Sequence, residues 1–345
     1  GMEKLAESKT YHQIIPLTDR LHYVVSFSQN EGYCEAVEKL MGIEVPERAK
    51  YIRSMCHEMC RIANHIIWLG FLVMDLGAIT FQQITFRERE YIMDLWEMLT
   101  GARLTHSFAR IGGVAKDIPD GFREKMAAAL EVIPKRMAEY DRLIRNNRIF
   151  LARGKDVGIF TSEDCAAWRV TGPTLRAAGC PRDLRKDEPF AAYDQLDFNV
   201  CVEYEADVIA RYVLRMNEIY ESIKIIKQCL DEMPDGPVIA EDAFHVIPPK
   251  KDVLRSSAAM IQDFVQVFRG PQVPKGEVYK AVETSQGELA FYIVSDGSPK
   301  PQRLRITTPC FYHCQAMQPL LQGEMLADIV GIFCGVDVCL GSCDR

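Results

Sequence analysis

From Pro46 onward, Ile52, Met55, Met59, Ile62, Ile66, Leu69 and Val73 recur at alternating spacings of three and four residues, the repeat that lines side chains up on one face of an α-helix. Pro46 suits the first turn, where its missing N–H would lack a partner anyway, and Gly77 can end the helix just after Asp75. The helix before it is expected to run from about Thr18 to Met41, with Gly42 as its stop. The short connection to Pro46 then makes the two antiparallel. Further helices are predicted over 86–101, about 119–146, about 203–232 and about 251–268. Between them, 171–198 is rich in Gly, Pro and charge and reads as a long ordered loop. Alternation of period two appears around 277–306, where Val, Tyr and Ile alternate with polar residues and "SQG" and "SDGSPK" supply turns, the pattern of a β-meander. The expected architecture is mainly α: one domain over 1–345, with core helices at about 18–146 and 203–268 and a small antiparallel meander at about 277–306.

Composition narrows the class without naming it. The 345 residues are 48% hydrophobic and 26% charged, enough apolar material for a sizeable core. A net charge of -7, a pI near 5.6 and interspersed charges argue against a nucleic-acid surface, so no nucleic-acid partner is expected. The apolar stretch 62–81 is interrupted by His65 and Asp75 and falls short of a bilayer span, so it reads as a buried helix. The first residues show no signal-peptide pattern, and the twelve cysteines are therefore expected to be reduced cytoplasmic thiols rather than a disulfide framework.

Motif by motif, the chemistry is sparse. No GxGxxG or GxxxxGK[ST] occurs, which removes sequence support for nucleotide binding. "HEMCR" at 57–61 lacks the second histidine of a zincin, and no CxxC occurs. Cys56 and Cys60, like Cys310 and Cys314, share i, i+4 spacing, but free cysteines commonly pack as small hydrophobes, and no metal site is expected. Asp75 follows thirteen residues free of Asp, Glu, Lys and Arg. It is either a solvated helix-end carboxylate or a buried acid that needs a partner. Glu58, Arg61 and His65, three and four residues apart, form a candidate charge-paired ladder between helices. Tyr23, in "DRLHYVVSF", reads by itself as an amphipathic core tyrosine with its hydroxyl satisfied.

Several longer segments go beyond periodicity. "AVEKLMGIEVPERAKYIR" (36–53), "TFREREYIMDLWEMLTGAR" (85–103), "TGPTLRAAG" (171–179), "YDQLDF" (193–198), "GELAFYIVSDGS" (287–298) and "LLQGEMLADIV" (320–330) resemble, in order and over essentially the whole chain, the quinone-pocket D subunit of bacterial NADH:quinone oxidoreductase, respiratory complex I. That family is itself similar to the large subunit of nickel–iron hydrogenases. The resemblance implies a hydrogenase-large-subunit-like helical bundle. The family also has an N-terminal β-rich segment with an "HPAAH"-like loop. This chain starts after the point where that segment would end, so the segment is expected to be truncated here or to reside on another chain.

What the resemblance implies is a peripheral-arm subunit contributing to a quinone-reduction site. Quinone is then the substrate, no cofactor is bound by this chain alone, and electrons arrive from a [4Fe-4S] cluster in the adjacent iron–sulfur subunit. A membrane-arm subunit would stand at the quinone entrance, and the complex would lie on the cytoplasmic face of the bacterial inner membrane. Tyr23 in "DRLHY" matches the family tyrosine that hydrogen-bonds the quinone head group. Asp75 in "MDLGA" matches the family aspartate that supports the histidine of the N-terminal loop. Phe71, where the family commonly has a small hydroxyl residue, and Gln82 and Gln83, where it tends to aromatics, are expected near the quinone. Cys339 is expected in the pocket wall, with Glu58, Arg61 and His65 as a supporting polar network.

The C-terminal "CGVDVCLGSCDR" raises the hydrogenase question directly. Hydrogenases hold nickel and iron with a C-terminal "DPCxxC" and an N-terminal "CxxC", four soft thiolates. Here Asp337 and Cys339 match, Ser342 stands at the second position, and residues 8–33 contain no cysteine. The resemblance thus favours quinone chemistry over two alternatives, a nickel–iron large subunit and a scaffold subunit without catalysis.

Overall fold

The computed structural model describes residues 1–242 and 245–345. Its axis is helix α4 (Glu47–Asp75), entered after a short helix α1 (Met2–Ala6), α2 (Tyr11–Thr18) and α3 (Ser26–Met41). The apolar repeat read from the sequence is the face that packs: Ile52, Met55, Met59, Ile62, Ile66 and Leu69 are fully buried and Val73 nearly so. The other face is buried too. Arg53, His57, Glu58, Arg61 and His65 are all inaccessible to solvent, so over 51–66 a helix that looks amphipathic in sequence is enclosed on all sides and those charges must be paired within the protein. Cys56 and Cys60 are buried on the same helix.

The predicted helix from Thr18 to Met41 is broken. Helix α2 ends at Thr18, the chain turns through 19–25, and α3 begins only at Ser26. Buried Asn30 fits the break: its amide donates to the Ile15 carbonyl (2.9 Å), the acceptor that the Asp19 N–H would take in a continuous helix, and to Thr18 Oγ1 (2.8 Å). Tyr23 therefore sits on a connecting segment and not on a helix. Beyond the break α3 does run antiparallel to α4. Glu38 pairs with Arg53 at its late end and Glu31 with His57 earlier. Gly42 ends α3 in the left-handed conformation, with φ of 70°.

Helix α5 (Ile79–Thr100) folds back along α4, starting earlier than the predicted 86. A two-residue hairpin, β1 (Ala109–Arg110) and β2 (Gly113–Val114), precedes α6 (Phe122–Arg145), α7 (Arg148–Gly154) and α8 (Ser162–Ala167). The segment 171–198 is a loop as expected, with single-turn helices α9 (Pro173–Arg176) and α10 (Leu184–Asp187), yet Arg176, Asp183, Arg185 and Tyr193 within it are buried. Helix α11 (Val208–Glu232) lies against α4. The predicted 251–268 helix divides into α12 (Lys250–Val253) and α13 (Ser257–Phe268), because Ser256 caps α13 by accepting from the Ala259 N–H.

The meander is present: β3 (Gly276–Glu283), β4 (Glu288–Ser295) and β5 (Arg303–Thr307) pair antiparallel in that order. Helix α3 lies on this sheet at Gly32, where a Cβ would stand 2.9 Å from Val282 Cγ2. The C-terminal helices α14 (Pro309–Leu320), α15 (Ile329–Val336) and α16 (Leu340–Cys343) were not anticipated from periodicity. The fold class is the expected one, mainly α with one small antiparallel sheet near the C-terminus.

Gly70 sets the spacing between α4 and α5. A Cβ there would fall 2.2 Å from Thr85 Oγ1, whose hydroxyl donates to the Gln82 carbonyl inside the helix pair. Gly70→Ala is expected to destabilise the fold by about 1–3 kcal/mol through overpacking, read as a lower thermal midpoint by circular dichroism. Adding Thr85→Ala should recover part of the loss.

Candidate functional site

The chain's end is held by a polar turn that α4 and α11 prepare. Asp337 ends α15 in the left-handed conformation, with φ of 63°. Its carboxylate accepts from Asn64 Nδ2 (2.8 Å) and Gln286 Nε2 (3.2 Å), and Arg215 lies 3.4 Å away. Arg215 also stacks on Trp68, 4.6 Å from the ring centre, while Trp68 Nε1 donates to the Cys334 carbonyl (2.5 Å). The 334–337 turn is therefore fixed from three directions by buried donors. Asn64, Arg215 and Gln286 carry no motif, and sequence reasoning missed them.

From this turn the two predicted catalytic groups are reached in opposite directions. Before it, Cys334 Sγ donates to Asp75 Oδ2 at 2.7 Å. After it, Cys339 lies against Tyr23, and the Tyr23 ring packs on Gly341, where a Cβ would stand 3.1 Å from Cε1. Tyr23 is 51% exposed, so it is not the satisfied core tyrosine of the plain reading, whereas Asp75 is exposed as a helix-end carboxylate would be. The negative charge of a Cys339 thiolate, with burial added, raises the Tyr23 phenol above its usual pKa. Asn64, which holds the turn, and Asp75 are eleven positions apart on α4, about 16 Å of helix. Tyr23 and Asp75 are thus tied to one C-terminal segment without touching each other.

The other predicted positions divide in the same way. Phe71 stands one turn before Asp75 on α4, partly exposed and edge-on to Phe86 with ring centres 6.0 Å apart. Gln83 is exposed and Gln82 half-buried on the first turns of α5. With Ile79, Val330 and Phe333, also exposed, Phe71 makes the elements that carry Asp75 apolar at their surface, as a partner or an apolar ligand requires. A groove of about 880 Å³ lined by residues including Lys116, Ile247 and Lys251 contains neither Tyr23 nor Asp75.

Glu58, Arg61 and His65 do form a ladder, turned into the protein toward 171–198 and the sheet. Glu58 accepts from Arg61 Nε (3.2 Å), Arg185 Nη1 (3.0 Å), Tyr193 Oη (2.5 Å) and Ser222 Oγ (2.6 Å). Burial pushes the Glu58 carboxyl up, but the Arg185 and Arg61 guanidiniums outweigh it and bring its pKa down to about 2. His65 pairs with Glu218 (2.7 Å), which Arg176 also holds, and Arg176 reaches on to Glu283 (2.7 Å). This network joins α4, α11, the long loop and β3. Its contacts support the structural reading of the ladder.

Among the described residues no three His, Cys, Asp or Glu side chains stand together as a metal site. Comparison with known proteins gives the class: a subunit of a complex I type oxidoreductase. Residues 75–345 match the family model described as the respiratory-chain NADH dehydrogenase 49 kDa subunit. The whole chain is 48% identical to the second NADH-quinone oxidoreductase D subunit of Rhizobium etli, covering 86% of that protein. It is 45% identical to the D subunit of Geotalea uraniireducens, covering 88%, and 44% identical to that of Salinibacter ruber, covering 77%. The chain belongs to the family of NADH-quinone oxidoreductase D subunits, and other complex I subunits are its partners. These relatives give no support to the nickel–iron alternative.

The low Glu58 pKa fixes the sign of one pH dependence. A carboxylate whose folded pKa lies below its unfolded value of about 4.3 stabilises the fold above that value, and the contribution is lost as pH falls toward 2. Glu58→Gln, which leaves Arg61 and Arg185 short of a counter-charge, is expected to cost about 3–5 kcal/mol at neutral pH. In urea titrations the gap between wild type and variant should narrow below about pH 4.

Proposed function

We propose that this chain forms one wall of a quinone-reduction site in a complex I type enzyme. Tyr23 donates its hydroxyl hydrogen to one quinone oxygen, and Asp75 fixes a second donor for the other. The neighbouring iron–sulfur subunit's [4Fe-4S] cluster would supply the electrons. A membrane-arm subunit would guide the quinone in, and the assembly would work at the cytoplasmic face of the bacterial inner membrane. The observation that carries the reading is the half-exposed Tyr23 phenol held against the same C-terminal segment whose Cys334 hydrogen-bonds Asp75.

The chemistry asked of these residues is modest and specific. A quinone that takes two electrons becomes strongly basic at both oxygens, so donors poised there stabilise the charge as it develops. A phenol with a raised pKa stays protonated until that basicity appears. Phe71, Ile79, Val330 and Phe333 offer apolar surface for the ring or its tail beside Asp75. The Asp337 turn holds the segment while protons move.

Tyr23→Phe removes the hydroxyl and little else. In the assembled complex it should lower quinone reduction by about 10²-fold or more, while electron transfer from NADH to a water-soluble acceptor and the complement of subunits stay at wild-type levels. A wild-type rate of quinone reduction would favour the scaffold alternative and end this reading.

A further inference from the structure

Helix α13 (Ser257–Phe268) is turned the wrong way round for a free surface. An amphipathic surface helix ordinarily buries its apolar stripe and leaves its polar side to water. In α13 the helical period groups Met260, Ile261, Phe264 and Phe268 on one side, with Leu254 just before the helix, and all five are exposed, Phe264 at 65% and Phe268 at 72%. The polar side is the one that faces the protein. Gln266 is buried, Gln262 Nε2 donates to the Val246 carbonyl (3.0 Å), and Gln13 Nε2 from α2 donates to the Val267 carbonyl (3.3 Å). At the far end Gly270 adopts a φ of 81° and lies so close to α2 that a Cβ there would stand 2.8 Å from Thr10 Cβ. The helix is thus held by its polar side and cannot roll its rings inward without breaking those contacts. The rings of Phe264 and Phe268 lie stacked, with centres 5.5 Å apart and planes 8° from parallel, which makes them a preformed apolar ridge. A contiguous apolar surface of this kind marks an interaction site.

The charges around the ridge have one prevailing sign. Lys250, Lys251, Arg255 and Arg269 are exposed, and none stands in an ion pair among the described residues, although the chain as a whole carries a net charge of -7. Lys250, Lys251 and Leu254 also line the groove of about 880 Å³, so the ridge and the groove form one continuous surface. Two carboxylates, Asp252 and Asp263, line the groove as well.

We infer that this surface docks another subunit of the complex, one that lays an apolar segment flanked by carboxylates along Phe264 and Phe268. The inference rests on membership of the complex I family and not on the quinone reading. A second copy of this chain is a poor occupant, because a two-fold contact sets the same patch against itself and brings like cations together. An anionic lipid surface would meet the cations, but it would also meet Asp252 and Asp263, and a flat bilayer leaves a groove of this volume unfilled. An apolar segment with flanking carboxylates satisfies both features. Its apolar side chains cover the two rings, the aromatic anchors on which binding energy concentrates, and its carboxylates meet the lysines and arginines at the rim, where opposite charge sets the approach and the register.

The test uses the assembled complex. With p-benzoylphenylalanine in place of Phe264, irradiation and mass spectrometry should give a crosslink to a peptide of a different complex I subunit that carries Asp or Glu within a few residues of the crosslinked position. A crosslink to lipid, to a second copy of this chain or to this chain itself overturns the proposal, as does the absence of any crosslink. Phe264→Ala combined with Phe268→Ala should cut the amount of that subunit retained after a salt wash at least about tenfold, while the thermal midpoint of the full chain stays at its wild-type value, because both rings lie outside the core. Full retention of the subunit would overturn the docking. Arg255→Glu combined with Arg269→Glu should also lower retention, and changing the partner peptide's carboxylates to Lys should restore it. A loss that this exchange does not reverse would show that charge plays no part in the contact and overturn the choice of an acidic partner.

Discussion

The rest of the structure depends on the pairing of charges buried along α4. Glu58 and Arg61 are fully enclosed, and an ion so placed is tolerated where opposite charge and hydrogen bonds replace the water it has lost. Here the replacements come from elsewhere in the chain: Arg185 and Tyr193 from the long loop, Ser222 and Glu218 from α11, and carbonyls of Glu283 and Thr284 at the end of β3. Such a network specifies one arrangement of the elements, since moving any of them leaves a buried charge unpaired. It also accounts for a loop of this length staying ordered and buried: its guanidiniums and carboxylates are the partners α4 lacks.

That arrangement in turn carries the C-terminal segment. The β3–β4 turn brings Gln286 to Asn64, α11 brings Arg215 to Asp337, and α4 offers Trp68 to the Cys334 carbonyl. With the turn fixed, Cys334 meets Asp75 on one side and Cys339 meets Tyr23 on the other. The division of labour is clear in physical terms. Deeply buried, fully paired charges hold the scaffold, while the half-exposed phenol and the exposed acid remain at the surface where a ligand or a neighbouring chain can reach them.

The pattern of the sequence was enough for much of the scaffold. The three-and-four repeat from Ile52 to Val73 located α4 and its packing face, Gly42 and Gly77 marked the limits of α3 and α4, and the alternation over 277–306 located the sheet. Tyr23, Asp75 and Cys339 stood out as candidate site residues only through resemblance to a family, whereas periodicity gave Tyr23 an ordinary core role and left Asp75 ambiguous. The ladder Glu58–Arg61–His65 was legible as a charged face, but not its partners.

What the sequence determined by itself is local: helical and strand periods, stop signals, and which residue types could do chemistry, because each follows from neighbours a few positions away. Tertiary structure alone decided the break at 19–25, where the Asn30 side chain satisfies the end of α2, and the burial of the charged face of α4 by loop residues far along the chain. Partners separated by most of the chain are chosen by how the core packs, and no short-range pattern records that choice.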